Sequence, residues 1–121
     1  MSAAMTCCGV YREAAHSPGR IDDDAAILER VGALLVERGF RVELIAGDGL
    51  IETPSANVFV MCERGTILDR LATMEKSGSI VVNSPAAIRN TYRHRMIELF
   101  AQRRVPAPLS RIVATDGMKP R

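Results

Sequence analysis

The sequence predicts a three-layer, Rossmann-like α/β domain with an open, mainly parallel sheet of four to five strands. Short apolar runs alternate with longer segments whose apolar residues recur at helical spacing, which is the pattern of β-α-β units. The length of 121 residues and the 47% hydrophobic content suit one domain with a conventional core. The three cysteines have neither disulfide-framework nor zinc-ligand spacing. We expect the domain to span residues 1–115, followed by a linker or frayed tail over residues 116–121.

The first half of the chain predicts two strands joined by a helix. The apolar run at residues 6–11 predicts the first strand. Three consecutive aspartates at residues 22–24 predict a helix start, because carboxylates stabilise the positive end of a helix dipole, and Gly39 predicts the helix end. Residues 41–46 predict the second strand, which ends in a glycine-containing turn at residues 47–49.

The second half opens with a strand, a helix and another strand. Residues 57–62 are nearly all apolar, which predicts a strand covered on both faces and central in the sheet. A helix is expected to begin at Thr66, with Asp69 completing a capping box. Residues 79–82 predict the fourth strand.

Serine and proline residues mark the last predicted elements. Ser84 is expected to cap a short helix whose first residue is Pro85. A longer helix is predicted over residues 91–104, burying its apolar face, and a proline-rich segment ends it. Residues 109–114 predict a fifth strand.

Charge is distributed unevenly along the chain. Residues 1–60 hold 5 Arg and 9 Asp or Glu, a net charge of −4, whereas residues 61–121 hold 11 Lys or Arg and 5 Asp or Glu, a net charge of +6. The basic half lacks the interleaved aromatic residues typical of nucleic-acid binding, so no nucleic-acid partner is expected. No long apolar span or leader pattern indicates a membrane partner or secretion, and we expect a cytoplasmic protein.

Catalytic and metal-binding motifs are missing from the sequence. It contains no phosphate-binding Gly-x-x-x-x-Gly-Lys-Ser/Thr, no Gly-x-Ser-x-Gly and no His-Glu-x-x-His. Cys62 at the end of a central strand is a candidate nucleophile, although a free cysteine is more often a buried packing residue. We therefore predict no catalytic residue and no metal ligand within this chain.

The acidic run at residues 22–24, followed by a helix, a glycine and a strand, is similar to receiver domains of response regulators. Two differences weaken this similarity: the run follows a loop instead of an apolar strand, and the third strand ends in Met61-Cys62-Glu63 without an aspartate to phosphorylate. A non-catalytic receiver-like or Rossmann-like interaction module is the alternative hypothesis.

A broader pattern covers most of the chain. Its parts are residues 9–13 (Gly-Val-Tyr-Arg-Glu) with Ser-Pro at 17–18, the strand at 57–62, residues 78–88 with their Asn-Ser-Pro, and Val-Pro-Ala-Pro at 105–108. In this order and spacing they resemble the N-terminal, pre-ATP-grasp region of ATP-grasp ligases such as glutathione synthetase, D-alanine:D-alanine ligase and ribosomal-protein glutamate ligases. The resemblance implies the pre-ATP-grasp fold.

The resemblance also implies an activity for a full-length parent protein. ATP with Mg²⁺ would phosphorylate a small carboxylate substrate, and an amine or thiol would displace phosphate from the acyl phosphate. Most nucleotide contacts of the family lie in the following ATP-grasp domain, for which the residues after Pro108 are too few. We expect that domain of the same polypeptide as partner. The isolated chain is expected to be inactive, to bind no cofactor tightly and to be able to form a homodimer through an uncovered apolar surface.

Candidate substrate-binding residues follow the predicted strands, because open parallel sheets bind ligands outside the carboxyl ends of their strands. The arginines are candidate carboxylate clamps, and the other residues would orient polar groups. The candidates are Arg12, Ser17, Glu63, Arg64, Asn83 and Ser84. Ser84 acting only as a helix cap, Asn83 as a turn former and Glu63–Arg64 as a surface pair remain open alternatives.

Arg93 is the candidate cofactor-binding residue. The family has an Asp-Lys pair at the start of the last helix, whose lysine reaches an ATP phosphate, and this pair corresponds to Tyr92-Arg93 here. Arginine keeps the positive charge but differs from lysine in geometry, so a solvated cation is an equal alternative.

Overall fold

The computed structural model describes residues 4–49 and 57–113. The chain divides into two compact units, Met1–Ile88 and Arg89–Arg121. The first unit contains the β-sheet, and most of the second unit's described residues belong to a helix and the irregular segment that follows it. The two units are described separately below.

Within the described residues, the first unit contains a parallel sheet of four strands in the order β2-β1-β3-β4. The strands are β1 (Thr6–Val10), β2 (Arg41–Ile45), β3 (Asn57–Val60) and β4 (Ile80–Val82). Every neighbouring pair is parallel, which confirms the predicted α/β class with an open parallel sheet. The predicted central position of the third strand is also confirmed, since β3 lies between β1 and β4.

Two helices connect these strands, α1 (Ile21–Glu37) between β1 and β2, and α2 (Thr66–Lys76) between β3 and β4. The β1-to-β2 connection moves in one direction across the sheet and the β3-to-β4 connection moves in the other. The order of the strands therefore reverses between β1 and β3. Because such connections are right-handed, the two helices cover opposite faces of the sheet.

The core lies where these helices meet the sheet. Val10 and Leu71 have no exposed surface, and Leu68 of α2 is only 1% exposed. On the other face Gly9 makes room for larger neighbours, because a Cβ atom there would lie 2.5 Å from the Phe59 ring and 2.6 Å from Leu44. The centre of the sheet is consequently closely packed on both sides.

Helix α2 begins at Thr66, as predicted. Its N-cap residue is Gly65, so Thr66 does not hold the N-cap position that the predicted capping box with Asp69 requires. Gly65 has φ = 73°, a left-handed conformation that glycine adopts without a steric penalty. The chain therefore enters α2 through a glycine-dependent turn.

Two further helices follow β4. Helix α3 spans Pro85–Asn90, and the Ser84 hydroxyl accepts a hydrogen bond from the Ala87 N–H at 3.2 Å, which confirms the predicted cap. Helix α4 spans Arg93–Arg103 and ends at Arg104, whose φ is 55°. The prediction that α4 buries its apolar face was wrong, because α4 contains no buried residue.

The segment after α4 does not form the predicted fifth strand. Residues 109–113 have no regular secondary structure, and residue 114 lies outside the described residues, as does the predicted tail. Leu109 is fully exposed, and a run of apolar residues becomes a strand only where a neighbouring strand pairs with it. Over residues 4–49 and 57–113, no helix is long and apolar enough to cross a membrane.

Candidate functional site

The candidate site lies at the carboxyl edge of the sheet, where the strand order reverses. The segments that leave β1 and β3 run side by side, and the Met61 N–H donates to the Val10 carbonyl at 2.9 Å. In open parallel sheets a crevice forms at this position, because the two chains depart toward opposite faces. The residues that follow β1 and β3 are therefore the ones placed to bind a ligand.

Arg12 lies at the centre of this edge. Its Nη2 atom donates to Glu63 Oε2 at 3.1 Å, and its Nε atom donates to the His16 carbonyl at 3.1 Å. The same Nε lies 3.8 Å from Asp24 Oδ2. The side chains of Arg12 and Glu63 are 31% and 32% exposed, so the pair is partly shielded yet open to solvent. The structure thus brings together two of the predicted residues, Arg12 and Glu63.

Ser17 contributes to this arrangement through a hydrogen bond to Asp24. It is 4% exposed, and its hydroxyl donates a short hydrogen bond to Asp24 Oδ2, the oxygen that faces Arg12. Asp24 belongs to the first turn of α1, where its charge also suits the helix dipole. Ser17 therefore fixes the carboxylate of Asp24, whereas the sequence had indicated only a helix-stabilising role for this aspartate.

Glu13 joins the two loops. Its Oε1 accepts from the Glu63 N–H at 2.9 Å and from the Arg64 N–H at 3.3 Å, and its Oε2 lies 3.2 Å from the same Glu63 nitrogen. The two loops are 50 residues apart in sequence. The sequence analysis did not identify Glu13. The signal that could have indicated it is that backbone N–H groups beyond the end of a strand need hydrogen-bond acceptors.

Arg64 lies at the periphery of the site. Its Nε is 3.7 Å from Glu63 Oε1, and its side chain is 55% exposed. This geometry is typical of a solvent-screened surface pair. We name Arg12, Glu13, Ser17, Asp24, Glu63 and Arg64 the switch-point cluster. With two arginines and three carboxylates, the cluster has a net formal charge of −1.

Asn83 and Ser84 leave the sheet at a different place. Both follow β4, the outermost strand on that side, one strand away from β3. The Ser84 hydroxyl caps α3. Among the predicted residues, the structure therefore groups Arg12, Ser17, Glu63 and Arg64, and it places Asn83 and Ser84 at the end of the edge strand.

The cysteines of the first unit are protonated at neutral pH. Burial, and secondarily the charge of Glu13, raises the pKa of Cys62 to about 12, and Cys62 is only 2% exposed. Burial also raises the pKa of Cys7 and Cys8. A nucleophilic thiolate needs the opposite environment, so these thiols are packing groups. Within the described part of the chain, no group of three or more His, Cys, Asp or Glu residues is arranged to hold a metal ion.

Arg93 belongs to the second unit, where it is the first residue of α4. It borders an apolar groove of about 570 Å³ between α4 and the segment that follows. Its lining includes Met96, Ile97, Phe100, Val105 and Leu109. A cation beside an apolar groove of this volume is compatible with a ligand that has both a charged and an apolar part.

No family model, curated protein or solved structure matches this chain.

Proposed function

We propose that this chain is the substrate-binding domain of an ATP-dependent carboxylate ligase, and that Arg12 binds the substrate carboxylate. One observation supports this most directly: Arg12 lies at the reversal point of a parallel sheet and is held there by carboxylates, Glu63 at 3.1 Å and Asp24 at 3.8 Å. The resemblance to the pre-ATP-grasp region supplies the reaction class.

Arg12 is suited to this role because its guanidinium is already oriented. The His16 carbonyl and Asp24 fix the Nε side, while the Nη2 side pairs with Glu63. A planar guanidinium matches a carboxylate in two-pronged geometry, and the Glu63 carboxylate occupies the position that a ligand would take. Pairs that are partly exposed contribute only about 1 kcal/mol or less, so exchanging Glu63 for a ligand carboxylate costs little.

The remaining steps of the proposed ligation take place in the parent protein. ATP would transfer its γ-phosphoryl group to the bound carboxylate and leave as ADP, with Mg²⁺ neutralising the triphosphate, and an amine or thiol would then attack the acyl phosphate and release phosphate. The nucleotide-binding partner is the ATP-grasp domain of the same polypeptide, in a cytoplasmic protein. Arg93 contacts an ATP phosphate, and this chain alone does not turn over ATP.

The test is a titration of the 121-residue chain with small carboxylates, followed by the chemical shifts of the arginine Nε–H groups. The expected result is a saturable shift of the Arg12 resonance in the wild type and no saturable shift of any remaining arginine resonance in Arg12→Gln. Arg30→Gln is the matched control, because Arg30 is exposed on α1 and lies away from the cluster, where it pairs with Glu37 at 3.9 Å. A saturable shift that persists in Arg12→Gln contradicts the assignment.

The interaction-module alternative is favoured by a different feature, the exposed apolar groove of the second unit. Its cationic lining residue, Arg93, suits a protein partner as well as a phosphate. The size of the native protein in its own cell extract separates the two. A mass of several tens of kDa supports the ligase, and a mass near 13 kDa supports the module.

A further inference from the structure

We infer that the groove of the second unit binds a free medium-chain fatty acid, whose alkyl chain lies in the groove and whose carboxylate pairs with Arg93. The groove of about 570 Å³ lies between α4 and the segment that follows it, and we call it the α4 groove. Among the described residues its lining is almost entirely apolar, and Arg93 is its charged member. The inference is independent of the carboxylate site at Arg12, which belongs to the first unit.

One wall of the α4 groove is a single face of a helix. The residues that α4 contributes are Arg93, Met96, Ile97, Phe100 and Ala101, at positions i, i+3, i+4, i+7 and i+8, which lie on one side of an α-helix. Arg93 is the first residue of α4, so the cation lies at one end of an apolar stripe. The stripe is about 12 Å long, because a helix rises about 1.5 Å per residue. This arrangement matches an extended alkyl chain with a charged end.

The other wall forms because the chain changes direction at the end of α4. Arg104 has a left-handed conformation with φ = 55°, and the Val105 N–H donates to the Phe100 carbonyl at 2.9 Å. These are features of a helix C-terminal motif that redirects the chain. The segment that follows lines the groove with apolar groups, among them Pro108 and Leu109. Val105 is 45% exposed and Leu109 is fully exposed, so this wall is accessible to a ligand.

The charges of the second unit favour an anionic ligand. Residues 89–113 contain six arginines and one carboxylate, that of Glu98, which gives a net charge of +5 with His94 neutral. Glu98 pairs with Arg95 at 3.3 Å. No carboxylate within residues 4–49 and 57–113 forms an ion pair with Arg93. The guanidinium of Arg93 is therefore available to a ligand, in a field that attracts anions and repels cations.

The apolar lining favours an alkyl chain over a hydrophilic anion. Besides Arg93, Ser110 is the lining residue with a polar side chain, and its hydroxyl already donates to the Pro108 carbonyl at 2.9 Å. A sugar or a second charged group would find few partners in the groove, whereas each fully buried CH₂ group of a chain increases affinity about fourfold. Arg93 is also the residue that we propose to contact an ATP phosphate, so ATP and the fatty acid would compete for its guanidinium.

The experiment follows the methyl resonance of Met96 by NMR while the 121-residue chain is titrated with alkyl carboxylates below their micelle concentrations. The resonance is assigned by its absence in Met96→Leu. We expect decanoate to shift it saturably, and hexanoate, which is four CH₂ groups shorter, to bind at least tenfold more weakly. Acetate should leave the resonance unchanged. A short carboxylate is sufficient for the Arg12 site, so this series separates the two sites.

Two neutral or cationic analogues and one variant test the role of charge. Decanol and decyltrimethylammonium carry the same chain as decanoate, and we expect decanoate to bind most tightly and the cation most weakly. Arg93→Gln should make decanoate bind no more tightly than decanol. Arg103→Gln is the matched control, because Arg103 is an exposed arginine of the same helix outside the groove lining, and its decanoate affinity should equal that of the wild type. Circular dichroism verifies that both variants fold.

Three results would overturn the inference. They are no saturable shift of Met96 below the micelle concentration, decanol binding to the wild type as tightly as decanoate, and a preference for decanoate that persists in Arg93→Gln. A shift caused only by micelles or by anionic lipid vesicles would also contradict it, because the site would then recognise an aggregate surface instead of a free fatty acid. None of these results concerns Arg12, whose proposed role is decided by the titration of the arginine Nε–H groups.

Discussion

The Glu13 carboxylate is one of the groups that join the two loops of the candidate site, and replacing it by glutamine tests how much it stabilises them. It receives the N–H groups of Glu63 and Arg64 across 50 residues of sequence. Glutamine can keep an oxygen at the position of Oε1, which accepts from both N–H groups, but it loses the charge. Its amide nitrogen then replaces Oε2 and faces the Glu63 nitrogen, a donor that lies 3.2 Å from Oε2 in the wild type. Both hydrogen bonds to the β3 loop therefore become weaker.

The expected loss follows from these distances. Hydrogen bonds to a charged group contribute about 1.5–3 kcal/mol each, but the Arg64 contact is exposed and long at 3.3 Å, so the Glu63 N–H carries most of the effect. We expect Glu13→Gln to lower the free energy of unfolding by about 1–3 kcal/mol. For a chain of this size this corresponds to a fall in Tm of about 4 °C per kcal/mol.

Urea unfolding followed by far-UV circular dichroism measures this loss. The control is Glu37→Gln, because Glu37 is 64% exposed and its nearest cation is 3.9 Å away; we expect a change below about 0.5 kcal/mol. The Glu13 charge also contributes to the raised pKa of Cys62, so the same variant should lower that pKa. Equal losses for both variants would refute the proposed role of Glu13.

Three further predictions concern the first unit. Folding raises the pKa of Cys62 from 9.0 to about 12, so the protonated thiol stabilises the fold fully below pH 9 and this contribution is lost as the pH rises through 12. The free energy of unfolding measured in urea should therefore fall by up to about 4 kcal/mol between pH 9 and 12, and less steeply in Cys62→Ala. Leu71→Ala, at a side chain with no exposed surface, should cost about 2–5 kcal/mol in the same assay, and a loss under 1 kcal/mol would contradict the packing described for α2. Gly9→Ala should lower the free energy of unfolding by about 1–3 kcal/mol, because the added Cβ would lie 2.5 Å from the Phe59 ring. A variant as stable as the wild type, with an unchanged near-UV spectrum, would show that the ring has room to move.

The fold was largely predictable because its signals are local. The alternation of apolar runs with helical spacing indicates the parallel sheet, and the Ser84-Pro85 pair indicates the start of α3. Strand ends were less predictable, since Cys62 is apolar and buried although β3 ends at Val60. Burial continues beyond the last paired residue, so composition overestimates strand length.

The candidate site was predictable only in part. Arg12 and Glu63 could be named because each follows a strand, and parallel strands end at one edge. Asp24 and Glu13 could not, because their roles depend on contacts between distant segments: Glu13 bonds to the Glu63 backbone, and Asp24 faces Arg12 from another element. The acidic run at residues 22–24 has a sufficient local explanation as a helix start, which concealed the different role of its third member.

The first strand of the chain is also an inner strand of the sheet, and this affects how the protein is made. During synthesis β1 leaves the ribosome with neither neighbour available, since β2 begins at Arg41 and β3 at Asn57. The Arg12 loop meets its β3 counterpart only after residue 64 has emerged, so the switch-point cluster forms late. If the cluster binds the proposed carboxylate, nascent chains that end before residue 64 should not bind it, and chains that include residue 64 should be the first that it protects from proteolysis.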